Sequence, residues 1–214
     1  MEIFRNICNS YEVNSYLLIA DDGTGVLIDP AFENERELSV LQRMIDENDA
    51  SLVAIIATHT HADHVMGAKL LMDTYPDAAF LMHKEAEPLY KMLNDYSMIM
   101  GFKKRELATP TGYVTDNEIL RFSDIELQVF HTPGHAPGSI CMYCKTEDGD
   151  VVFTGDVLFH SSIGRTDLPG GSFDVLRTSI IEKLFTLPPD TLVLTGHGDA
   201  TSIEFEKENN PFLQ

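Results

Sequence analysis

Three histidines and an aspartate crowd into the segment Thr58-His59-Thr60-His61-Ala62-Asp63-His64. Imidazole nitrogens and carboxylate oxygens at this density are the donor set of a first-row transition-metal site. Residues two apart on an extended segment project to the same side, so His59 and His61 can share one ion. Asp63 and His64 follow as the chain turns into a helix and can reach a second ion nearby. A single histidine in a folded domain is more often a packing or surface residue than a ligand. A cluster this dense, buried without a metal, would strand several polar groups, and the metal reading prevails.

The elements around the cluster explain how it is held. Leu52-Val53-Ala54-Ile55-Ile56-Ala57 is a continuous apolar run, the pattern of a strand covered on both faces, and it delivers the cluster at its end. Val65 to Tyr75 then returns to a helical pattern closed by Pro76. The same arrangement recurs three times. The strand Ile125 to Phe130 runs into His131-Thr132-Pro133-Gly134-His135, Val151-Val152-Phe153 into Thr154-Gly155-Asp156, and Thr191-Leu192-Val193-Leu194 into Thr195-Gly196-His197-Gly198. Strand ends hold side chains more rigidly than free loops do, which a metal site requires. Tyr16 to Ala20 and Val26 to Asp29 predict a hairpin around Asp21-Asp22-Gly23-Thr24-Gly25, and helices are predicted over Glu33 to Glu47 and Asp174 to Phe185.

Composition bounds the function. With 214 residues, 43% of them hydrophobic and 23% charged, the chain is expected to form one domain, residues 1–214, around a substantial core. A formal net charge of -19 would repel a phosphate backbone, so nucleic acid is not expected as a partner. Met1 to Tyr16 mixes Glu2, Arg5, Asn6, Asn9 and Glu12 among its apolar residues, unlike a signal peptide or membrane span, which predicts a cytoplasmic protein without a membrane partner. Three cysteines agree with a reducing compartment. Cys141 and Cys144 form a C-x-x-C, but in Ser139-Ile140-Cys141-Met142-Tyr143-Cys144 they read as strand residues on opposite faces, which argues against a redox or zinc pair.

With these residues assembled, the chain resembles the metallo-β-lactamase superfamily: Thr58 to His64 fits its T-H-x-H-x-D-H signature, and His135, Asp156 and His197 stand in its later motifs in order. The resemblance covers nearly the whole chain. It implies an α/β layered fold, the αββα sandwich, with the site at one edge between two mixed sheets. It also implies that His59, His61 and His135 hold one divalent ion, that Asp63, His64 and His197 hold another, and that Asp156 bridges them. Zinc is the expected metal, with iron or manganese acceptable to the same donors. Two close cations bring the pKa of a bridging water towards ~7, so the expected reaction is attack by hydroxide, oriented by Asp63 as the catalytic carboxylate.

Gly155 to Ser172, together with Gly196-His197-Gly198 and Asn210-Pro211-Phe212-Leu213, resembles the short, single-domain branch of glyoxalase II-like thioester hydrolases. This implies a small-molecule thioester as substrate, of the hydroxyacylglutathione type. The longer glyoxalase II enzymes add a C-terminal helical extension with basic contacts to glutathione, and this chain is expected to lack those contacts. Arg165 matches a cation of the pattern and is a candidate substrate contact, by bidentate pairing to a carboxylate or, alternatively, by a structural pairing with Asp167. Gly164-Arg165-Thr166-Asp167 also resembles persulfide dioxygenases, which use one iron at positions matching His59, His135 and Asp156. A lactonase, or a non-catalytic metal-stabilised interaction module, are further readings. A structural site, however, is normally closed and needs fewer ligands than seven.

The remaining residues carry weaker expectations. Asp29 is placed to hydrogen-bond a ligand histidine, His83 reads as structural, His131 as packed behind the site, and His160 as a neighbour of the pocket. Asn94 to Thr111 combines the apolar Met98-Ile99-Met100-Gly101-Phe102 with the cationic Lys103-Lys104-Arg105. It reads either as a solvated loop or core-packed helix end, or as a partial lid hinged at Gly101, whose cations attract anionic thioesters.

Overall fold

The computed structural model describes residues 1–214 and builds them into two six-stranded mixed sheets flanked by helices. The first sheet contains β1 (Glu2–Cys8), β2 (Val13–Ile19), β3 (Thr24–Ile28), β4 (Ser51–Ile56), β5 (Ala79–His83) and β6 (Gly112–Val114), in that order. Its first three strands pair antiparallel and β3 to β6 pair parallel. The second sheet contains β7 (Ile119–Phe122), β8 (Ile125–His131), β9 (Ile140–Thr146) and β10 (Gly149–Gly155). After the small hairpin β11 (Leu158–Phe159) and β12 (Ser162–Ile163), β13 (Leu192–Thr195) joins β10 in parallel and β14 (Thr201–Ser202) completes the edge.

Side-chain alternation turns these sheets into layers. Leu18, Ile28 and Ile56 face Leu127, Val129, Met142 and Phe153 in a core between the two sheets. Their strand neighbours Leu17, Leu27 and Ile55 face outward onto Leu38, Leu41 and Ile45 of α1 (Glu35–Glu47) and Leu71 of α3 (Ala68–Thr74). On the other side, Cys141, Val152 and Val193 face Leu176 and Ile180 of α6 (Phe173–Glu182) and Ile203 of α7 (Ile203–Asn209). A strand buried on both faces needs apolar residues at every position, which is why the central strands read as continuous runs. The order helix, sheet, sheet, helix is the expected sandwich.

The sequence placed most elements within a few residues, and the departures have local causes. α1 starts at Glu35 because the Asn34 side chain accepts the Glu37 N–H at 3.0 Å while the Glu37 carboxylate accepts the Glu33 N–H at 2.7 Å, a reciprocal cap. The helix expected over Val65 to Tyr75 is two short ones, α2 (Ala62–Val65) and α3 (Ala68–Thr74). Gly67 breaks it: a β-carbon there would lie 2.8 Å from both the Phe32 nitrogen and the Pro30 oxygen, so the chain passes tight against the Pro30 segment. The helix expected over Asp174 to Phe185 ends at Glu182 and gives way to a 3-10 turn over Leu184–Thr186. β1, a half-exposed edge strand without an unbroken apolar run, was not foreseen, and neither were the short strands β6, β7, β11, β12 and β14 or the helix α7. Between β5 and β6 lie α4 (Glu87–Lys91) and α5 (Leu93–Ile99). No helix is long and apolar enough to cross a membrane.

Candidate metal centre

All seven residues named from the sequence converge at one rim of the sandwich. His59 and His61 leave the end of β4, Asp63 and His64 lie on α2, and His135, Asp156 and His197 follow β8, β10 and β13. Potential ligand atoms of His59, His61 and His135 lie within 4.8 Å of one another, and those of Asp63, His64 and His197 form a second such group. Asp156 stands between them. Its Oδ1 is 3.2 Å from His64 Nε2, and its Oδ2 is 3.7 Å from His135 Nε2 and 3.6 Å from His197 Nε2.

The outer ring nitrogens are tethered so that the inner ones face the centre. His64 Nδ1 donates to Asp29 Oδ2 at 2.9 Å, His135 Nδ1 to the Arg165 carbonyl at 2.8 Å, and His197 Nδ1 to the Tyr11 carbonyl at 2.9 Å. The Thr58 hydroxyl donates to Asp29 Oδ2 at 2.8 Å and so accepts from His59 Nδ1 at 3.1 Å. Asp29, which also accepts the Thr58 N–H at 2.7 Å, is therefore the hub that fixes two of the rings. Its expected hydrogen bond to a ligand histidine is present.

Several positioning residues escaped the sequence reading. Asn9 Nδ2 donates to the Asp63 carbonyl at 2.8 Å. Asn14 donates to the Thr195 and Gly198 carbonyls at 3.0 Å, holding both sides of His197, and Tyr16 Oη donates to the Thr195 carbonyl at 2.8 Å. The available signal was Asn14-Ser15, two polar residues within the fully buried strand β2. Gly196 is another: a β-carbon there would sit 2.4 Å from Asp156 Oδ1 and 2.9 Å from His64 Cε1, so only glycine lets β13 pass the cluster.

The charges of the cluster divide it. Burial holds His59 well below the usual imidazole range, with His64 and His61 adding to the effect, and burial with His135 takes His61 down to about 4. Burial also lowers His135. For His64 burial acts the same way but is outweighed by Asp156, Asp29 and Asp63, which raise it well above the usual value. Asp156 and Asp63 are both held below the carboxylate range despite burial, chiefly by His64.

These donors fit a metal pair. His59 Nε2 and Asp156 Oδ1 are buried without a hydrogen-bond partner. His61 Nδ1 faces His135 Nε2 at 2.9 Å, and His64 Nε2 faces His197 Nε2 at 3.2 Å. With their outer nitrogens donating to fixed acceptors, His135, His64 and His197 turn their inner nitrogens into the cluster, where each would give up any proton and offer a lone pair on metal binding.

The cluster opens onto a cavity of about 470 Å³. Arg165 lines it, with the guanidinium clamped to Asp167 by two hydrogen bonds of 2.8 Å. Ile99 and Met100 line it too, but Lys103, Lys104 and Arg105 do not. Arg105 instead donates to the Glu33 carbonyl, and Asn94 holds its N–H and carbonyl at 2.9 and 2.8 Å. Gly101, at φ +87°, is the left-handed residue that follows the end of α5, and Tyr11 Oη donates to the preceding Met100 carbonyl at 2.8 Å. The apolar part of this stretch, Ile99 and Met100, thus borders the cavity, while its cationic part is turned away from it.

His83 stacks on His131 with ring centroids 4.0 Å apart, and Glu85 lies 3.6 Å from His131; none of the three lines the cavity. His160 packs on Phe205 rather than beside the cavity. Cys141 faces the helix-covered core and Cys144 the inter-sheet core, and burial pushes their thiols up to about 12 and about 11. All three cysteines are free.

A sandwich of two mixed sheets with histidines and aspartates gathered at the strand ends defines a metallo-hydrolase class, and comparison with known proteins agrees. The Metallo-beta-lactamase superfamily pattern matches residues 10–197, and the chain belongs to this family. The probable metallo-hydrolase YqgX of Bacillus subtilis is 38% identical over 204 residues, covering 94% of this chain and 92% of that protein. The hydroxyacylglutathione hydrolase GloC of Haemophilus influenzae is 34% identical over 205 residues, covering 95% and 94%. Among solved structures, the BLEG-1 B3 metallo-beta-lactamase superposes with a TM-score of 0.88 at 34% identity over 100% of both chains. TTHA1623 in a di-iron-bound form gives 0.85 at 33% identity over 98% of this chain and 100% of that one. ETHE1 from Myxococcus xanthus gives 0.80 at 29% identity over 99% and 84%. The chain is thus a metal-dependent enzyme of a superfamily that binds a dinuclear metal site.

Proposed function

We propose that this chain hydrolyses a small-molecule thioester with two metal ions, zinc in the first instance, acting as one domain over residues 1–214 in the cytoplasm and without nucleic acid or membrane as partner. The observation that carries this reading is Asp156, set between two complete triads at the floor of an open cavity. His59, His61 and His135 would hold one ion, Asp63, His64 and His197 the other, and Asp156 both. When bound, the pair supplies Lewis acidity, which makes water nucleophilic at neutral pH and polarises a carbonyl.

The chain's own groups do the rest. Asp63 is buried, anionic and fixed through its backbone by Asn9, so its carboxylate can accept a hydrogen bond from the attacking water and aim it. Asp29 and Thr58 keep the rings of His64 and His59 from turning. Arg165 lines the cavity and would border a bound substrate. A thiolate, with a conjugate-acid pKa of ~8.5, leaves without a strong general acid. In keeping with this, no histidine or carboxyl outside the cluster lines the cavity. The similarity to GloC over nearly the whole chain supports the thioester.

The test is metal analysis of the purified protein with parallel assays of thioester hydrolysis and of persulfide-dependent oxygen uptake. Two metals per chain with hydrolysis are expected. One iron per chain with oxygen uptake would replace this reading by a dioxygenase.

A further inference from the structure

A helix of seven residues cannot hold its own place, and α5, whose end borders the cavity, is such a helix. Tyr96, Ile99 and Met100 from this end line the cavity together with Tyr11 of the turn between β1 and β2. Tyr11 grips the helix end twice. Its Oη donates to the Met100 carbonyl at 2.8 Å, one of the carbonyls that a helix end leaves without an internal partner. Its ring packs on that of Phe102, a buried core residue, with centroids 5.4 Å apart. The grip is anchored on the metal centre. The Tyr11 carbonyl accepts from His197 Nδ1 at 2.9 Å, Val13 forms a β-bridge with His197, and the Asn14 N–H donates to the Gly196 carbonyl at 2.7 Å. On the other side the Tyr11 N–H donates to Asn9 Oδ1 at 2.8 Å, and Asn9 Nδ2 donates to the Asp63 carbonyl at 2.8 Å. Both ends of the turn are thus seated on segments that carry ligands of one triad, and the tyrosine between them reaches across to α5.

We propose that Tyr11 is a positioning residue, a strut braced on the segments of Asp63 and His197 that sets how far the end of α5 stands from the metal centre and so how closely the cavity fits its ligand. The turnover arm of its test rests on the thioester reading above, and the exchange arm does not. The tether to His197 is a backbone carbonyl, so a side-chain change at Tyr11 leaves it in place. Removing the hydroxyl alone takes away one hydrogen bond, worth about 2- to 12-fold in the local opening of the wall. A change that moves the wall without touching the reacting groups raises KM and spares kcat.

The test uses zinc-loaded protein, hydrogen exchange read by mass spectrometry, and steady-state kinetics with a 2-hydroxyacylglutathione. In Tyr11→Phe the amides of Met98 to Phe102 should exchange about 2- to 12-fold faster than in the parent, with β4 and α2 unchanged and the zinc content equal to the parent's. KM should rise by a similar factor, with kcat within about twofold. Tyr11→Leu also removes the ring from Phe102 and should loosen the wall further, with Tyr11→Phe falling between it and the parent in both readouts. Unchanged exchange over Met98 to Phe102 in Tyr11→Phe, a rise spread evenly over the chain, or a fall in kcat at constant KM overturns the proposal. Loss of zinc from Tyr11→Phe overturns it too, because the residue would then be a support of the metal site. Loosening confined to this segment in a protein that hydrolyses no thioester keeps the strut and removes the thioester reading. Hydrolysis by a parent and a Tyr11→Phe variant with identical exchange does the reverse.

Discussion

Two surfaces meet in the cavity and are held in opposite ways. On one, polar side chains at strand ends are largely buried and four of the five rings are fixed through an outer nitrogen: His64 by Asp29, His59 by Thr58, His135 by the Arg165 carbonyl and His197 by the Tyr11 carbonyl. On the other, apolar side chains from the α4–α5 corner and the Leu168–Pro169 loop border the cavity, ranging from the buried Leu93 to Ile99, which is 84% exposed. The first surface is over-determined, as metal chemistry demands, because a displacement of about 1 Å at a reacting group can cost about 100-fold in rate. The second needs only area and shape, and tolerates exchange of one apolar residue for another. Changes in the first should abolish the reaction, and changes in the second should redirect it.

The largest effect expected is at the ligands themselves. His61→Ala and His64→Ala each remove a donor from a different triad and should each lower kcat/KM by at least about 100-fold, with metal content falling below two per chain. The two variants together separate a dinuclear from a mononuclear site. If both keep near-full activity, the two-metal claim and the rigidity argued for the first surface fall together.

Next comes the hub behind the ligands. Asp29 has φ +57°, a backbone conformation that asparagine tolerates, so Asp29→Asn should preserve the turn. It cannot preserve the hydrogen bonds. One carboxylate accepts the Thr58 N–H, the Thr58 hydroxyl and His64 Nδ1–H, whereas an amide presents an NH₂ to one side of that set. Metal affinity, measured by competition with a chelator, should fall about 10- to 100-fold while the fold remains. An unchanged affinity would mean that the ring tethers are incidental and that the contrast between the two surfaces is one of burial alone.

How much of this was legible in the sequence follows the same division. The histidine cluster was readable because donors two and five residues apart have a chemical meaning that few other demands on a chain produce, and because apolar runs before Thr58, His131, Thr154 and Thr195 marked the strand ends. The tethers were less readable. Asp29 stood out at a strand end, but Asn9, Asn14 and Tyr16 act through backbone carbonyls of residues far away in the chain, and only the folded topology brings those together. Gly196 gave no signal beyond its motif, since its reason is the Asp156 carboxylate it lets pass. The apolar wall was least readable: Leu89, Leu93 and Leu168 have no pattern that separates them from core residues, and Leu93 is indeed also part of the core. The cationic run beside Met98 to Phe102 pointed the wrong way, because adjacency in sequence suggested a shared surface that the turn at Gly101 separates.

That run supplies the smallest expected effect. Lys103 and Lys104 are exposed and line no part of the cavity, while Arg105 is occupied by the Glu33 carbonyl and by Asn94. Interactions of exposed charges across water fade over the Debye length, ~8 Å at physiological ionic strength, so their pull on an anionic substrate inside the cavity is weak. Replacing Lys103 and Lys104 by glutamine, with Arg105 kept so that the loop stays pinned, should therefore change KM for anionic and neutral thioesters alike by less than about twofold at physiological salt. Repeating the measurement at low salt sharpens the contrast with the apolar wall. A modest rise in KM confined to anionic substrates there, vanishing as salt is added, is the signature of long-range attraction without contact. A large, salt-insensitive rise for anionic substrates would instead place these lysines against the bound substrate, and would require the segment after α5 to fold over the cavity in a conformation different from the pinned one.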